Sequence, residues 1–178
     1  MSIIRVGEFQ FKKFIDKEKI AELILKMAKE VDAFYNEKDE LEFIVILDGS
    51  YHFASDFTRV FSRDAKVHFI KAKSYVGLKS SGDVKIQGLE EIEIKGKHLL
   101  ILEDIVETGN TLFSIIEAIN IKAPASLRLA SLFVKPSEMK KSIHIDFYGL
   151  QIGSEFIVGY GLDYNGYGRT FPDVYVKI

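Results

Sequence analysis

The chain has 178 residues, which is long enough for one domain with a substantial core and short for two. Apolar residues make up 47% and charged residues 28%, and the net charge of −2 gives no overall attraction to nucleic acid or to an anionic membrane. The absence of cysteine excludes disulfides and thiolate metal sites. We expect a single domain over residues 1–178 that binds neither nucleic acid nor membrane.

No cationic segment followed by an apolar stretch opens the chain, and no apolar run approaches the roughly 20 residues that span a bilayer. The default expectation is therefore a cytoplasmic protein. The histidines share no spacing typical of metal ligands, and we interpret them as structural or surface residues. They are His52, His68, His98 and His144.

The first predicted helix follows an N-terminal segment, residues 1–15, whose mixed pattern assigns no structure. Asp16 is suited to cap a helix that begins at Lys17, because its carboxylate can accept from free backbone N–H groups. Apolar side chains then recur at helical spacing up to Val31. This stripe is typical of a face packed on the core.

Two buried strands are predicted next, at residues 43–47 and 67–73, since each is an apolar or alternating run bounded by polar residues. The first ends in the small, flexible turn Asp48-Gly49-Ser50, before a predicted helix that carries Phe53 and Phe57. A turn of this kind after a strand is suited to a ligand. Taken alone, it is also an ordinary loop.

The segment from Ser74 to Gly88 is rich in Ser, Gly, Lys and Asp, with Tyr75 near its start. A loop of about 15 residues inside a compact domain is uncommon, and it is usually a lid or a binding loop. Such lids keep water away from reactive intermediates. A flexible hairpin is the alternative.

The run from His98 to Leu112 carries the strongest signal: His-Leu-Leu-Ile-Leu-Glu-Asp-Ile-Val-Glu-Thr-Gly-Asn-Thr-Leu. An apolar strand ends at Glu103 and Asp104, a small acidic turn follows, and apolar residues then recur with helical period. The turn lies at the carboxyl end of the strand. Ligands bind at this edge in open α/β sheets.

The residue types in this turn suit a sugar phosphate. Gly109 permits a positive φ, Thr108 and Thr111 offer hydroxyls, and the first free N–H groups of a helix favour an anion. Carboxylates repel phosphate, so Glu103 and Asp104 are better suited to sugar hydroxyls or Mg²⁺. A ribose 5-phosphate that carries a metal would satisfy all of these groups, whereas a solvated acidic loop after a core strand is the alternative.

The second half of the chain predicts one further long strand, from Ser126 to Val134, and short β runs at 145–148 and 156–160. Lys135 ends the long strand. A lysine at a strand end is most often solvated, although this one would share a sheet edge with Glu103. No internal repeat or low-complexity segment is present.

The run from 98 to 112 resembles the phosphoribosyl-diphosphate (PRPP) binding motif of the type I phosphoribosyltransferases. Further segments resemble the hypoxanthine-guanine phosphoribosyltransferases in their order and spacing, from about residue 42 to 170. They are Leu47-Asp48-Gly49-Ser50, Ser74-Tyr75 with Ser80-Ser81-Gly82, Ser131-Leu-Phe-Val-Lys135, and Phe156 to Arg169. The resemblance implies an α/β fold with a mostly parallel twisted sheet flanked by helices, and a small hood formed by terminal segments.

The resemblance also implies an activity, which is Mg²⁺-dependent transfer of 5-phosphoribosyl from PRPP to N9 of a 6-oxopurine (hypoxanthine and/or guanine) in purine salvage. The products would be IMP or GMP and pyrophosphate. Because a site that donates to the 6-oxo group rejects a 6-amino group, adenine should be a poor substrate. Members form dimers or tetramers, so we expect a homodimer or homotetramer.

Each implied site residue takes its role from the matching motif. The catalytic base is Glu107, and the PRPP and ribose-phosphate residues are Glu103, Asp104, Glu107, Thr108, Gly109, Asn110 and Thr111. The pyrophosphate loop and its cation are Leu47, Asp48, Gly49 and Arg169, and the lid residues are Ser74 and Tyr75. The purine residues are Lys135, Phe156, Ile157 and Asp163, and the Mg²⁺ residues are Glu103, Asp104 and Asp163. The pyrophosphate loop of the family often contains a cis non-proline peptide.

Two positions depart from the family pattern. The base is normally Asp, and the carboxylate of Glu107 reaches about 1.5 Å further; a retracted rotamer could restore the geometry, so we expect slower or normal turnover rather than none. Asp48 stands where members commonly carry Lys. PRPP affinity should drop if that charge matters, and be kept if the contact is through the backbone. A catalytically weak PRPP- or nucleotide-sensing regulator on the same fold is the alternative.

Overall fold

The computed structural model describes residues 3–36, 39–74 and 84–178. The strands, in chain order, are β1 (Ile3–Val6), β2 (Phe9–Ile15), β3 (Leu41–Leu47), β4 (Lys66–Ser74), β5 (Val84–Gln87), β6 (His98–Val106), β7 (Ser126–Val134), β8 (Phe147–Gln151), β9 (Ile157–Val158) and β10 (Val174–Lys177). The helices are α1 (Lys17–Phe34), α2 (Tyr51–Val60) and α3 (Asn110–Ile121), and two short 3₁₀ helices lie at Leu89–Glu91 and Pro136–Glu138. No helix within these ranges is long and apolar enough to cross a membrane.

A six-stranded sheet in the order β5-β4-β3-β6-β7-β8 organises the larger part of the fold. Its strands pair in parallel, except that β5 runs antiparallel to β4 at one edge. The central strands β3 and β6 are almost continuously buried, as expected for strands covered on both faces. The predicted α/β class with a mostly parallel sheet is confirmed.

Helices cover both faces of this sheet and create two separate cores. On one face α1 and α2 pack over side chains such as Phe43 and Leu100. On the other face α3 packs over Ile44 and Ile101, which alternate with the first set along the same strands. Burying both faces holds the central strands rigidly, and this rigidity fixes the sheet edge at their carboxyl ends.

The helix predicted from Asp16 is confirmed at its start and on its buried face. The Asp16 carboxylate accepts from the N–H of Lys19 at 2.8 Å, and the helix begins at Lys17. The predicted apolar stripe is buried along its length. The helix after the Asp48-Gly49-Ser50 turn is also found, and it buries Phe53 and Phe57.

A second, antiparallel sheet in the order β1-β2-β10-β9 forms the hood. Its strands come from both ends of the described chain, so the predicted hood of terminal segments is confirmed. Residues 1–15, which the sequence left unassigned, supply β1 and β2. A small third core packs the N-terminal strands of the hood against its C-terminal strands, with Phe11 fully buried in the same cluster as Val158 and Tyr175.

The strand limits differ from the predictions at the central motif. β6 continues to Val106, past the predicted end at Glu103 and Asp104, so both carboxylates lie inside the strand. The reason is pairing, because β7 remains in register with β6 through Ile105 and as far as Val106. The carboxylates are therefore held by a rigid strand, which local hydropathy did not indicate.

Candidate active site

A cleft of about 360 Å³ opens at the carboxyl ends of β3 and β6, beneath the hood. Its lining combines predicted residues from three separate segments. Those predicted residues are Leu47, Gly49, Glu103, Asp104, Glu107, Thr111, Phe156, Ile157, Asp163 and Arg169. A cavity of about 170 Å³ formed by Glu103 and residues 105–112 shares part of this lining. The structure thus brings most of the predicted site to one place.

Glu103 and Asp104 are neighbouring carboxylates in a desolvated environment. Asp104 is buried and Glu103 half-buried, and the hydroxyl of Ser50 lies 3.5 Å from a carboxylate oxygen of each. Burial raises the pKa of both groups, and the charge of Asp104 raises the pKa of Glu103 further. The Asp104 carboxylate also accepts from the N–H of Ile105 at 3.0 Å. A cation would neutralise such a pair, and sugar hydroxyls could donate hydrogen bonds to it.

The turn between β6 and α3 has the conformation that the sequence predicted. Gly109 adopts a φ of 75° and precedes Asn110, the first residue of α3. The N-cap residue Gly109 supplies no side-chain cap, and the N–H of Asn110 donates to the hydroxyl of Thr108 at 3.5 Å, so the first N–H groups of α3 lie at the turn. The backbone oxygen of Thr108 accepts from the N–H of Lys140 at 3.0 Å, which ties the turn to the segment after β7.

Lys135 is buried, with 4% of its surface exposed, although lysines at strand ends are most often solvated. Its backbone N–H donates to the carbonyl of Val106 at 2.8 Å, and its Nζ donates to the carboxylate of Glu107. The predicted purine lysine and the predicted base are thus direct neighbours. An ion pair of this kind satisfies the buried ammonium group.

The turn after β3 lies against the carboxylate pair. The peptide between Leu47 and Asp48 is cis, as expected from the resemblance. A Cβ at Gly49 would overlap the carboxylate of Asp104, so only glycine fits there. Both oxygens of Asp48 accept from Nζ of Lys71 on β4, each at 2.7 Å. The acid that departs from the family pattern is therefore paired with a cation from the adjacent strand.

The hood contributes a second ion pair. Arg169 contacts Asp163 at 2.8 Å and donates to the carbonyl of Gly161 at 2.7 Å. Ile157 is buried in β9, whereas the ring of Phe156 is 43% exposed and borders the cleft. The exposed ring is accessible to a planar ligand.

Comparisons with known proteins agree with this geometry. A family model described as the phosphoribosyl transferase domain matches residues 12–165. The hypoxanthine-guanine phosphoribosyltransferase of Aquifex aeolicus is 33% identical over 94% of this chain and 94% of its own length. The chain belongs to the hypoxanthine-guanine phosphoribosyltransferase family.

Two further relatives support this membership. The hypoxanthine phosphoribosyltransferase of Haemophilus influenzae is 37% identical over 79% of this chain and 80% of that protein. The crystal structure of the Staphylococcus aureus hypoxanthine phosphoribosyltransferase superimposes with a TM-score of 0.88 at 32% identity, covering 94% of this chain and 91% of that one. The predicted type I phosphoribosyltransferase fold is confirmed.

The predicted metal residues divide into two places. Among the described residues, no group of three or more His, Asp or Glu side chains could hold a metal ion together. Mg²⁺ is usually held by one or two carboxylates together with substrate oxygens, and Glu103 with Asp104 fits that pattern. Asp163 is instead occupied by its ion pair with Arg169.

One predicted lid residue lies outside the described residues, and two contacts of the site were not predicted. Of the predicted lid, Ser74 is the last residue of β4, and Tyr75 lies outside the described residues. The pairing of Lys71 with Asp48 was not predicted. The sequence held a signal for it, because Lys71 lies near the end of a predicted strand, as Asp48 does. Ser50 was quoted in the motif without a role, yet its hydroxyl is buried beside both carboxylates.

Proposed function

We propose that this chain transfers the 5-phosphoribosyl group from PRPP to N9 of hypoxanthine and/or guanine in purine salvage, releasing pyrophosphate. The observation that carries the proposal is the shared cleft, in which the carboxylate pair of β6, the phosphate turn and Arg169 meet. Membership of a family of such enzymes supports the same reaction. Domain, assembly and location stay predictions: one domain over 1–178, a homodimer or homotetramer, in the cytoplasm.

The ribose of PRPP would bind at Glu103 and Asp104. Their pKa values are raised because burial makes the ionised carboxylates unfavourable. Hydrogen bonds from sugar hydroxyls and the charge of a Mg²⁺ ion would offset this desolvation penalty. When bound, Mg²⁺ would neutralise the pyrophosphate as it leaves. The 5-phosphate would bind at Glu107, Thr108, Gly109, Asn110 and Thr111, where helix N–H groups and hydroxyls donate.

The pyrophosphate would lie between two walls of the cleft. One wall is the Leu47-Asp48-Gly49 turn, and the other is the hood residue Arg169. The guanidinium group stabilises the negative charge that develops as the bond to the anomeric carbon breaks. Because Lys71 neutralises Asp48, the acid would repel PRPP less than its charge alone predicts.

The purine would bind between Phe156 and the Lys135–Glu107 pair, with the backbone at Ile157 and the carboxylate of Asp163 near its edge. The 6-oxo group and N7 are adjacent on the ring. A lysine that donates to the oxygen and a carboxylate that accepts the N7 proton must therefore be neighbours, as Lys135 and Glu107 are. Glu107 acts as general base, and its half-exposed side chain can move from Lys135 toward the purine.

The test is a product assay. The protein is incubated with PRPP, Mg²⁺ and each of hypoxanthine, guanine, xanthine and adenine, and the nucleotide formed is measured. We expect inosine or guanosine monophosphate and little product with adenine. Tight PRPP binding without any product would favour the regulator, an alternative that the enzyme names of the relatives do not support.

A further inference from the structure

Tyr160 connects the hood to helix α2. Tyr160 is 6% exposed, and its hydroxyl donates to the carboxylate of Asp56 on α2 at 2.5 Å. A second, longer contact of 3.5 Å runs to the carbonyl of His52 on the same helix. The backbone of Tyr160 has a φ of 50°, which is uncommon for a bulky residue and needs surrounding contacts to hold it.

The residues after Tyr160 hold the guanidinium of Arg169. The carbonyl of Gly161 accepts from this side chain at 2.7 Å, and the N–H of Gly161 donates to the carbonyl of Arg169 at 3.0 Å. Asp163 contacts the other side of the guanidinium at 2.8 Å. Tyr160 directly precedes Gly161, so the backbone conformation of Tyr160 bears on where the Gly161 carbonyl meets Arg169.

On the other side of the Tyr160–Asp56 hydrogen bond, helix α2 leads back to the proposed pyrophosphate loop, Leu47-Asp48-Gly49. Asp56 belongs to α2, which starts at Tyr51, two residues after Gly49. The two loops also touch, since a Cβ at Gly161 would overlap the carbonyl oxygen of Gly49. The two walls proposed for pyrophosphate thus come from distant parts of the chain, and the Tyr160–Asp56 hydrogen bond joins them.

We propose that Tyr160 and Asp56 are positioning residues for PRPP, which set the separation between Arg169 and the pyrophosphate loop. This inference rests on the proposed function. Burial and the hydrogen bond to Asp56 raise the pKa of Tyr160, so its hydroxyl stays protonated and remains a donor at neutral pH. The connection ends at Arg169 and at the Leu47-Asp48-Gly49 turn, which are the groups proposed for pyrophosphate, so its main effect should be on PRPP.

The main variants are Tyr160→Phe and Asp56→Ala, each of which removes one side of the hydrogen bond. The KM values for PRPP and hypoxanthine, kcat, the melting temperature, and the Kd of pyrophosphate with Mg²⁺ by calorimetry are measured on the full chain. We expect about a 3- to 10-fold rise in the KM for PRPP and in the Kd of pyrophosphate, the size of one hydrogen bond. The KM for hypoxanthine should rise less than the KM for PRPP.

Three controls separate positioning from general stability. Asp56→Asn keeps an acceptor oxygen and should restore values near those of the parent. Tyr164→Phe removes another hood hydroxyl, which donates to Glu8 at 2.5 Å, and should leave the PRPP values unchanged. The double variant of Tyr160→Phe with Asp56→Ala should be no worse than either single change, because both remove the same contact.

Two results would overturn the inference. One is a pyrophosphate Kd that stays unchanged in both main variants. The other is an equal loss for PRPP and hypoxanthine that follows the melting temperature. If Tyr160→Phe folds poorly, Asp56→Ala decides, because Asp56 lies on an exposed part of α2. An inactive parent protein would contradict the proposed function instead, and the calorimetry would still test the connection.

Discussion

The β6 edge and the hood segment 156–169 both line the cleft, yet they hold their charged groups in opposite ways. On β6, the strand itself positions Glu103 and Asp104, and the two like charges lie side by side in a desolvated place. In the hood, turns position Asp163 and Arg169, and the two opposite charges pair. The repulsion between Glu103 and Asp104 lowers the stability of the unliganded fold. The Asp163–Arg169 ion pair, by contrast, is already satisfied without a ligand.

The largest effect is expected at the end of β6, from Glu107→Gln. Loss of the proposed general base should lower kcat by about 10²- to 10⁴-fold. The buried ammonium of Lys135 also loses its charged partner, which should lower the melting temperature. Steady-state kinetics and thermal unfolding measure both effects. Glu107→Asp is the matched control and should keep substantial activity; full activity in the Gln variant would show that another group takes the proton.

Asp104→Asn should separate function from stability at the same edge. Loss of a charged contact to ribose or Mg²⁺ should lower kcat/KM for PRPP by about 10- to 100-fold, as for one charge-assisted hydrogen bond. The melting temperature at neutral pH should rise, because one of two repelling buried charges is gone while the acceptor for Ile105 remains. A lower melting temperature would contradict this account of the pair.

The same pair predicts how stability depends on pH. Folding raises the pKa of Glu103 and Asp104, so above the ordinary carboxyl value of about 4 the unfolded chain binds fewer protons than the folded one. Their contribution is therefore fully present at low pH and is lost as the pH rises through the raised values. Thermal unfolding of the parent and of Asp104→Asn across pH isolates the contribution of Asp104. The melting temperature of the variant minus that of the parent should grow as the pH rises.

Arg169→Gln tests the hood side of the comparison. The KM for PRPP should rise by about 10-fold, because one charged contact to the leaving group is lost. Unlike Asp104→Asn, this change removes a satisfied ion pair, and within the described residues it leaves Asp163 with the N–H of Gly166, at 2.6 Å. The melting temperature should therefore fall slightly or stay the same. If the melting temperature of Arg169→Gln rose as much as that of Asp104→Asn, the two regions would not differ in how they hold their charges.

The smallest effect is expected for Lys71→Ala, because the Lys71–Asp48 pair is half-exposed. Exposed pairs contribute little and are screened by salt, so we expect about a 2- to 5-fold rise in the KM for PRPP at low ionic strength. The rise should shrink in high salt. Asp48→Asn is the paired control, since it should lower the KM or leave it unchanged; a rise in both variants would mean that the pair acts as one unit.

Local patterns predicted much of the fold for a physical reason. Helix α1 has a cap and a complete apolar stripe, and β3 and β6 are apolar runs buried on both faces, so each is determined by neighbouring residues. The hood strands β1 and β2 have weak alternation, because they pair with β10 at the far end of the chain. Their stability comes from distant partners, which a local pattern does not contain.

The site shows the same division. The position of the Glu103–Thr111 segment at the cleft could be predicted, because its carboxylates, glycine and hydroxyls follow one another in the chain. The burial of Lys135 and its bond to Glu107 were not predicted, since they depend on strand pairing between β6 and β7. The Tyr160–Asp56 contact joins residues 104 positions apart, and nothing in either segment indicates the other.

By itself, the sequence determined the chemistry at the end of β6: which acids, hydroxyls and glycine stand there, and that a strand precedes them and a helix follows. These are local properties, set by residue type and periodicity over about a dozen positions. Only the tertiary structure decided how the hood closes on that edge, which charges are paired and which are left in repulsion. Burial and ion pairing arise where distant segments meet, and they determine the free energy of each charged group.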